Sequence, residues 1–398
     1  MFLARMMKFA LAAGIATTLL LFSAASTSSK GIAAQIPAVK VVRVPNGGIQ
    51  PQVATDESGK VHLVYFAGDA SHGDLFYVRS DDGGNGFSRP IRVNSQAGSA
   101  IATGNIRGAR IAIGRNGTVH VAWNGSGIAE PRTSDGRAPM LYSRLNGTGK
   151  EFEAQRSLIR TASGIDGGGA LAADRLGNVY VFWHAPIPGG KDEADRRVWL
   201  ARSTDDGKTF AAEKPASDKP TGVCGCCGMS AFADSKGSVF ALFRSASEMV
   251  NRDMYLLASG DHGRSFRVTD VSKWNVGYCV MSSEAFVESA TGVMAAWETE
   301  KQVLYSRIDP TTGTAAPPAS APGTGVNRKY PALAVNRDGF LLLGWTEGMG
   351  WKKGGASAWQ ILDKSGKRVG ETSRAEGVPI WGLVAAFASP DGSFRIIY

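Results

Sequence analysis

The chain reads as short apolar runs that come in pairs. Gln52-Val53-Ala54 is followed by His62-Leu63-Val64-Tyr65, Arg110-Ile111-Ala112 by His120-Val121-Ala122-Trp123, and Leu171-Ala172-Ala173 by Tyr180-Val181-Phe182-Trp183. The pattern goes on with Ser230-Ala231-Phe232 and Val239-Phe240-Ala241-Leu242-Phe243, then Ala285-Phe286-Val287 and Val293-Met294-Ala295-Ala296-Trp297, then Ala332-Leu333-Ala334 and Leu341-Leu342-Leu343-Gly344-Trp345. Runs this short, bounded by turn residues and without helical periodicity, predict buried strands. Between the members of each pair lies a turn of the Asp/Asn-x-x-Gly type. Its glycine falls at Gly59, Gly117, Gly177, Gly237, Gly292, Gly339 and, for a seventh pair, Gly392. Seven such hairpins at intervals of 47 to 60 residues are an internal repeat, which predicts an array of equivalent sheets.

Each hairpin but the last leads into a third apolar strand, as at 74–78, 140–143, 198–201, 254–257 and 303–306. Three of these strands end in an octet: Ser80-Asp81-Asp82-Gly83-Gly84-Asn85-Gly86-Phe87, Ser203-Thr204-Asp205-Asp206-Gly207-Lys208-Thr209-Phe210 and Ser259-Gly260-Asp261-His262-Gly263-Arg264-Ser265-Phe266. In the middle octet Asp205 can fold its carboxylate onto backbone N–H groups, Gly207 can take a positive φ, and Phe210 anchors the next strand. Weaker versions stand at Leu145-Asn146-Gly147-Thr148-Gly149 and Ile308-Asp309-Pro310-Thr311-Thr312-Gly313.

These octets resemble the Asp-box, Ser-x-Asp-x-Gly-x-Thr/Ser-Phe/Trp, and through them the chain is similar to the sialidase-like (BNR-repeat) β-propellers. The resemblance implies an all-β chain, a β-propeller of four-stranded antiparallel blades. The final hairpin, 383–387 with 394–398, lacks outer strands, and the apolar strand at 38–44 lacks a hairpin. Pairing the two closes the ring and removes an exposed sheet edge. We therefore expect six full blades and a composite seventh closed by both termini, in one domain over 36–398. The six-bladed sialidase plan is the alternative.

Ahead of the repeats, Met1-Phe2-Leu3-Ala4-Arg5-Met6-Met7-Lys8 is basic, 9–22 is apolar, and Ser23-Ala24-Ala25 is small. That order predicts a secretory signal over 1–25, with cleavage after Ala25 or as late as Ala34, and a single membrane anchor as the other reading. The location expected is secreted or periplasmic. The formal charge of +9 drops by two when Arg5 and Lys8 leave with the signal. The remaining charges are interspersed with acids and form no Lys/Arg run, which argues against nucleic acid; small anionic ligands or glycans are candidate partners, and a basic export protein with no charge-selected partner is the plainer reading. A monomer is expected, with an envelope protein as the other candidate partner.

In a propeller the loops that leave second strands and enter first strands gather on one face. The residues just past the second strands are Phe66, Asn124, His184, Arg244, Glu298 and Thr346-Glu347. Most follow an aromatic that can close the blade, so Asn124, His184, Arg244 and Glu298 are candidates for holding a small anionic or sugar-acid ligand; a solvated rim is the plainer reading. Arg244 suits a carboxylate clamp, or a rim pair with Glu298 or Asp253.

All four cysteines fall in two neighbouring incoming loops: Cys224-Gly225-Cys226-Cys227 and, one blade later, Cys279. In an exported chain disulfides are one explanation, paired as Cys224–Cys227 with Cys226–Cys279 because adjacent cysteines seldom bond. The other is a soft metal site. Cys224, Cys226, Cys227 and Cys279, with Met281, Met229 or His184 in support, would favour Cu(I), whereas Cys-x-Cys-Cys lacks the usual zinc spacing. A reactive thiol is the third.

The sialidase resemblance also implies a site of three arginines, a Tyr activated by Glu, and an Asp, outside the two-carboxylate scheme. By location, Arg244, Arg328 and Arg107 or Arg110 stand for the arginines, Tyr330 or Tyr278 with Glu284 or Glu298 for the nucleophile pair, and Asp69 or Asp74 for the acid. The expected Arg-Ile-Pro element is replaced by Asn46-Gly47-Gly48-Ile49-Gln50-Pro51.

Overall fold

Short buried strands with a glycine turn between them fold as hairpins, and the computed structural model, which describes residues 36–398, contains seven such hairpins in seven sheets. The expected signal over 1–25 and the cleavage site near Ala34 lie outside the described residues. The first strands are Ile49–Thr55, Arg110–Ile113, Ala170–Ala173, Ser230–Ala233, Glu284–Ser289, Arg328–Val335 and Ala385–Ala388. Each pairs antiparallel with the strand that follows it. First strands of successive blades touch, and that of blade 7 touches that of blade 1, which closes the ring. Blades 1–4 and 6 have four strands each, in chain order outward from the axis; in blade 5 the outer place is shared by Thr314–Ala315 and Ala319–Ser320.

Blade 7 is the composite of both termini, and it has three strands. Val39–Val42 lies beside Phe394–Ile397 and runs parallel to it. The direction follows from what comes next: the chain must finish this strand on the face where Ile49 begins the first strand of blade 1, and Phe394–Ile397 runs toward that same face. Only a parallel strand delivers it there. Seven blades, and not six, result.

The core lies between blades. Ala122, Met140 and Tyr142 of blade 2 pack on Leu171, Val181 and Trp183 of blade 3, and the other junctions repeat the scheme. Trp123, Trp183, Trp297 and Trp345, which close the second strands, are at most 1 % exposed. Burial of such a side chain is worth about 1.5–3 kcal/mol. Among the described residues no helix is long and apolar enough to cross a membrane.

The three octets make the same turn. Asp205 accepts from the Thr209 N–H (2.9 Å), the Thr209 hydroxyl (2.6 Å) and the Ser203 hydroxyl (2.7 Å); Asp261 does likewise with Ser265 and Ser259, while Asp82 accepts from the Gly86 N–H and the Ser80 hydroxyl, Gly86 having no hydroxyl. Gly207 has φ +74°, and a Cβ there would meet the Tyr142 hydroxyl of the preceding blade at 1.9 Å, so no other residue fits. Burial would raise the Asp205 pKa, but its donors outweigh it and hold the group at about 2. Asp205→Ala should therefore cost about 1–2 kcal/mol at pH 7 by urea unfolding. Because the folded-state pKa is depressed, this deficit should shrink as pH falls from 4 toward 2; a deficit independent of pH would exclude the carboxylate as its cause.

Candidate functional site

On the face where incoming loops gather, the mouth of the ring is filled by protein. The loop into blade 2, Thr103-Gly104-Asn105-Ile106-Arg107-Gly108, lays Ile106 across it, 1 % exposed and packed with Tyr330 and Leu383 of blades 6 and 7. Asn105 donates to Gly382 O at 2.7 Å, and Arg107 binds Asp166 O (2.7 Å) and Asp166 Oδ1 (2.6 Å). The Gly167-Gly168-Gly169 run makes this closure fit: a Cβ on Gly167 would lie 2.0 Å from Cys227 O, and one on Gly168 1.8 Å from Ile106 O. Beneath the plug, a cavity of about 880 Å³ follows the axis, lined by the first strands of all seven blades.

Of the four candidate ligand residues, Asn124 and His184 meet at Gly167 and Arg244 meets Glu298, and most of their polar atoms are engaged by backbone. Asn124 donates to Gly167 O at 2.7 Å, leaving only its buried Oδ1 without a partner. His184 is fully buried; its Nε2 accepts from Gly167 N–H at 3.2 Å and its Nδ1 lies 3.0 Å from Arg196 Nη1. Burial, then the Arg196 and Arg107 charges, push its pKa well below the usual value, so it is a neutral support for the glycine loop. Arg244, 0 % exposed, donates to Ser282 Oγ (2.8 Å), Arg252 O (2.6 Å) and Glu298 O, and its guanidinium sits 4.9 Å over Trp274. Glu298, 1 % exposed, has Oε2 3.6 Å from Lys329 Nζ and no hydrogen bond to that oxygen. Burial raises its pKa to about 7, against the pull of Lys329 and Arg244.

The cysteines meet at the junction of blades 4 and 5. Cys226 and Cys279 are joined in a disulfide, Cα atoms 6.3 Å apart, while Cys224 and Cys227 are free and buried. Cys224 Sγ lies 2.7 Å from Cys227 Sγ and 3.5 Å from Cys226 Sγ. Burial opposes ionisation of Cys227, but contact with Cys224, the Arg244 guanidinium and Ser282 bring its pKa down to about 6; Cys224 beside it is driven well upward by the same contact and by burial. Arg252, ion-paired to Glu193 at 2.7 Å, adds a second cation near Cys224. Of the two methionines considered with the cysteines, Met229 packs into the blade 3–4 core and Met281 points its methyl at Gly104.

Three groups placed by location in the sialidase-type site, Glu284, Arg110 and Tyr330, come together in the cavity. Glu284 is 4 % exposed with neither carboxylate oxygen hydrogen-bonded, and burial lifts its pKa well above the carboxylate range. It lines the cavity with Arg110, which donates to Gly169 O and Gln52 Oε1, both at 3.2 Å. Tyr330 lines it as well, at φ +50°. The other sialidase-type candidates scatter. Arg328 binds Ala321 O (2.6 Å) and pairs with Glu347; Asp74 holds Asn94 and Gly98; Asp69 is exposed at the end of the strand Val61–Asp69, and Tyr278 is an exposed loop residue.

A scan against protein-family models and a search of curated proteins find no match. Solved structures do match. A protein of unknown function from Dyadobacter fermentans aligns at 15 % identity over 86 % of this chain and 97 % of that one, TM-score 0.51. An alpha-L-arabinanase of Penicillium chrysogenum, complexed with arabinobiose, aligns at 15 % identity over 81 % and 95 %, TM-score 0.52. A Hadza microbial sialidase aligns at 14 % identity over 83 % and 74 %, TM-score 0.51. Identity this low speaks to architecture alone. With its closed ring of blades, antiparallel except for the one parallel pair in blade 7, and these matches, the chain has the fold of the sialidase-like β-propellers.

Proposed function

We propose that this is an exported sialidase-like propeller that binds a soft metal ion, Cu(I), at the four-cysteine cluster between blades 4 and 5. One observation carries the reading: the chain's only cysteines come together, with the sulfurs of Cys224, Cys226 and Cys227 all within 4.8 Å of one another and Cys279 on Cys226. Thiolates favour Cu(I), and the cations Arg244 and Arg252 offset the charge that four sulfurs would gather. Cys226 and Cys279 can serve as ligands only when their disulfide is reduced, so the binding form is the four-thiol form. Met281 stays a candidate for an outer position. Support for an anionic or sugar-acid ligand moves from the plugged mouth to the cavity, where Arg110 and Glu284 stand. Sialidase-type hydrolysis has less support, since Arg244 and Arg328 already hold backbone carbonyls.

The test is a titration of fully reduced protein with Cu(I) under anaerobic conditions against a chromophoric chelator. We expect one tightly held equivalent per chain, lost in the Cys224→Ser/Cys227→Ser double variant and in the oxidised protein. A reduced wild-type chain that competes no better than the double variant would dismiss the proposal.

A further inference from the structure

The four sulfurs differ sharply in what can reach them. Cys279 is exposed and Cys226 half-buried, whereas Cys224 and Cys227 are 0 % and 1 % exposed. The inner pair is sealed by Trp274 and Val280, and its loop is fixed by Cys224 N–H to Arg244 O (2.9 Å) and Gly228 N–H to Ser282 O (2.9 Å). No external thiol can touch Cys224 or Cys227 without opening these loops. Cys226 can: its sulfur is 3.5 Å from Cys224 Sγ, and it is bonded to the one cysteine on the surface. Beside Cys279 the backbone is open, with no atom within 4 Å of a Cβ built on Gly277, and Tyr278 is 49 % exposed, an apolar face against which a partner can dock.

From this layering we infer that the cluster is a thiol–disulfide exchange relay, in which Cys279 and Cys226 take two electrons from an external dithiol and hand them to the buried Cys224/Cys227 pair. The inference goes beyond metal binding and needs no metal. It starts from the form in which both pairs are oxidised. The partner's thiolate attacks Cys279 Sγ, forming a mixed disulfide and expelling Cys226 as thiolate; the partner's second thiol then closes on the first and releases Cys279. Cys226 thiolate attacks Cys224 Sγ, which makes the Cys224–Cys226 bond and frees Cys227 as thiolate beside Arg244. Cys279 thiolate attacks Cys226 Sγ, restoring the outer disulfide and freeing Cys224. In sum a dithiol has become a disulfide and the inner disulfide a dithiol. The product has an outer disulfide over two inner thiols, the arrangement the structure contains.

To test it, the full chain is oxidised with diamide in the presence of EDTA, mixed with dithiothreitol or a reduced thioredoxin, quenched in acid at intervals, alkylated and mapped by mass spectrometry. In the wild type the inner cysteines should become alkylatable while the Cys226–Cys279 disulfide is still present. In Cys226→Ser, which removes the bridge between surface and interior, inner-pair reduction should slow at least tenfold. Cys279→Ser also lacks the outer disulfide but keeps Cys226; it should retain inner-pair reduction within a few-fold, which separates loss of the carrier from loss of a loop staple. Three results would each overturn the relay: no inner disulfide after diamide, an inner pair reduced in Cys226→Ser as fast as in wild type, or both variants slowed alike. A failed Cu(I) titration would leave these rates unchanged, and a failed relay would leave the titration unchanged.

Discussion

Arg244→Met should lower the unfolding free energy by about 3–5 kcal/mol, read as a shift of the urea midpoint at pH 7. The guanidinium joins four segments: its own second strand in blade 4, the return at Arg252, the incoming loop of blade 5 at Ser282, and the second strand of blade 5 at Glu298. Methionine replaces the volume over Trp274 but none of the donors, so three buried oxygens lose their partner at once. Lysine keeps the charge yet is a point donor without the planar fork, and Arg244→Lys should fall between wild type and methionine. Arg244→Met also removes the cation beside Cys227, so in that variant the Cys227 thiol should ionise at higher pH, measurable by the pH dependence of thiolate absorbance in reduced protein. A loss under about 1 kcal/mol would mean that the loops hold without this residue.

This placing of Arg244 shows which parts of the molecule the sequence made legible. The blades were legible because each is local: alternation of strand and glycine turn is written within a few tens of residues, and the Ser-x-Asp octets close on themselves through Asp82, Asp205 and Asp261. The meeting of Cys279 with the Cys224 loop was legible too, since a ring brings like positions of adjacent blades together. What the pattern could not give is the content of the mouth. Residues after the second strands do point inward, but whether they meet solvent depends on how far the incoming loops reach across. That is decided by the bare backbone at Gly167 and Gly168 and by the Ile106 side chain, whose close approach has no periodic signature. Asn124 and His184 consequently serve the loop above them.

Glu298 carries the opposite expectation to Arg244: Glu298→Gln should stabilise the protein at pH 8 and leave it nearly unchanged at pH 5. Burial raises the Glu298 pKa from 4.5 to about 7, with Lys329 and Arg244 opposing and Cys227 assisting. Below pH 4.5 the carboxyl is protonated in both the folded and unfolded chain and pH has no leverage. Between 4.5 and 7 the unfolded chain releases the proton and the folded chain retains it, so stability falls as pH rises; above 7 the loss is complete. A separation of this size corresponds to about 3 kcal/mol. Glutamine cannot ionise, and its variant should lack this limb of the stability profile. Urea midpoints of both proteins at pH 5 and pH 8 decide the matter: parallel behaviour would mean that Glu298 is ionised in the fold and held by Lys329. Lys329→Met makes the complementary measurement. Without that cation at 3.6 Å the carboxyl should keep its proton to still higher pH, and the falling limb should extend upward instead of vanishing.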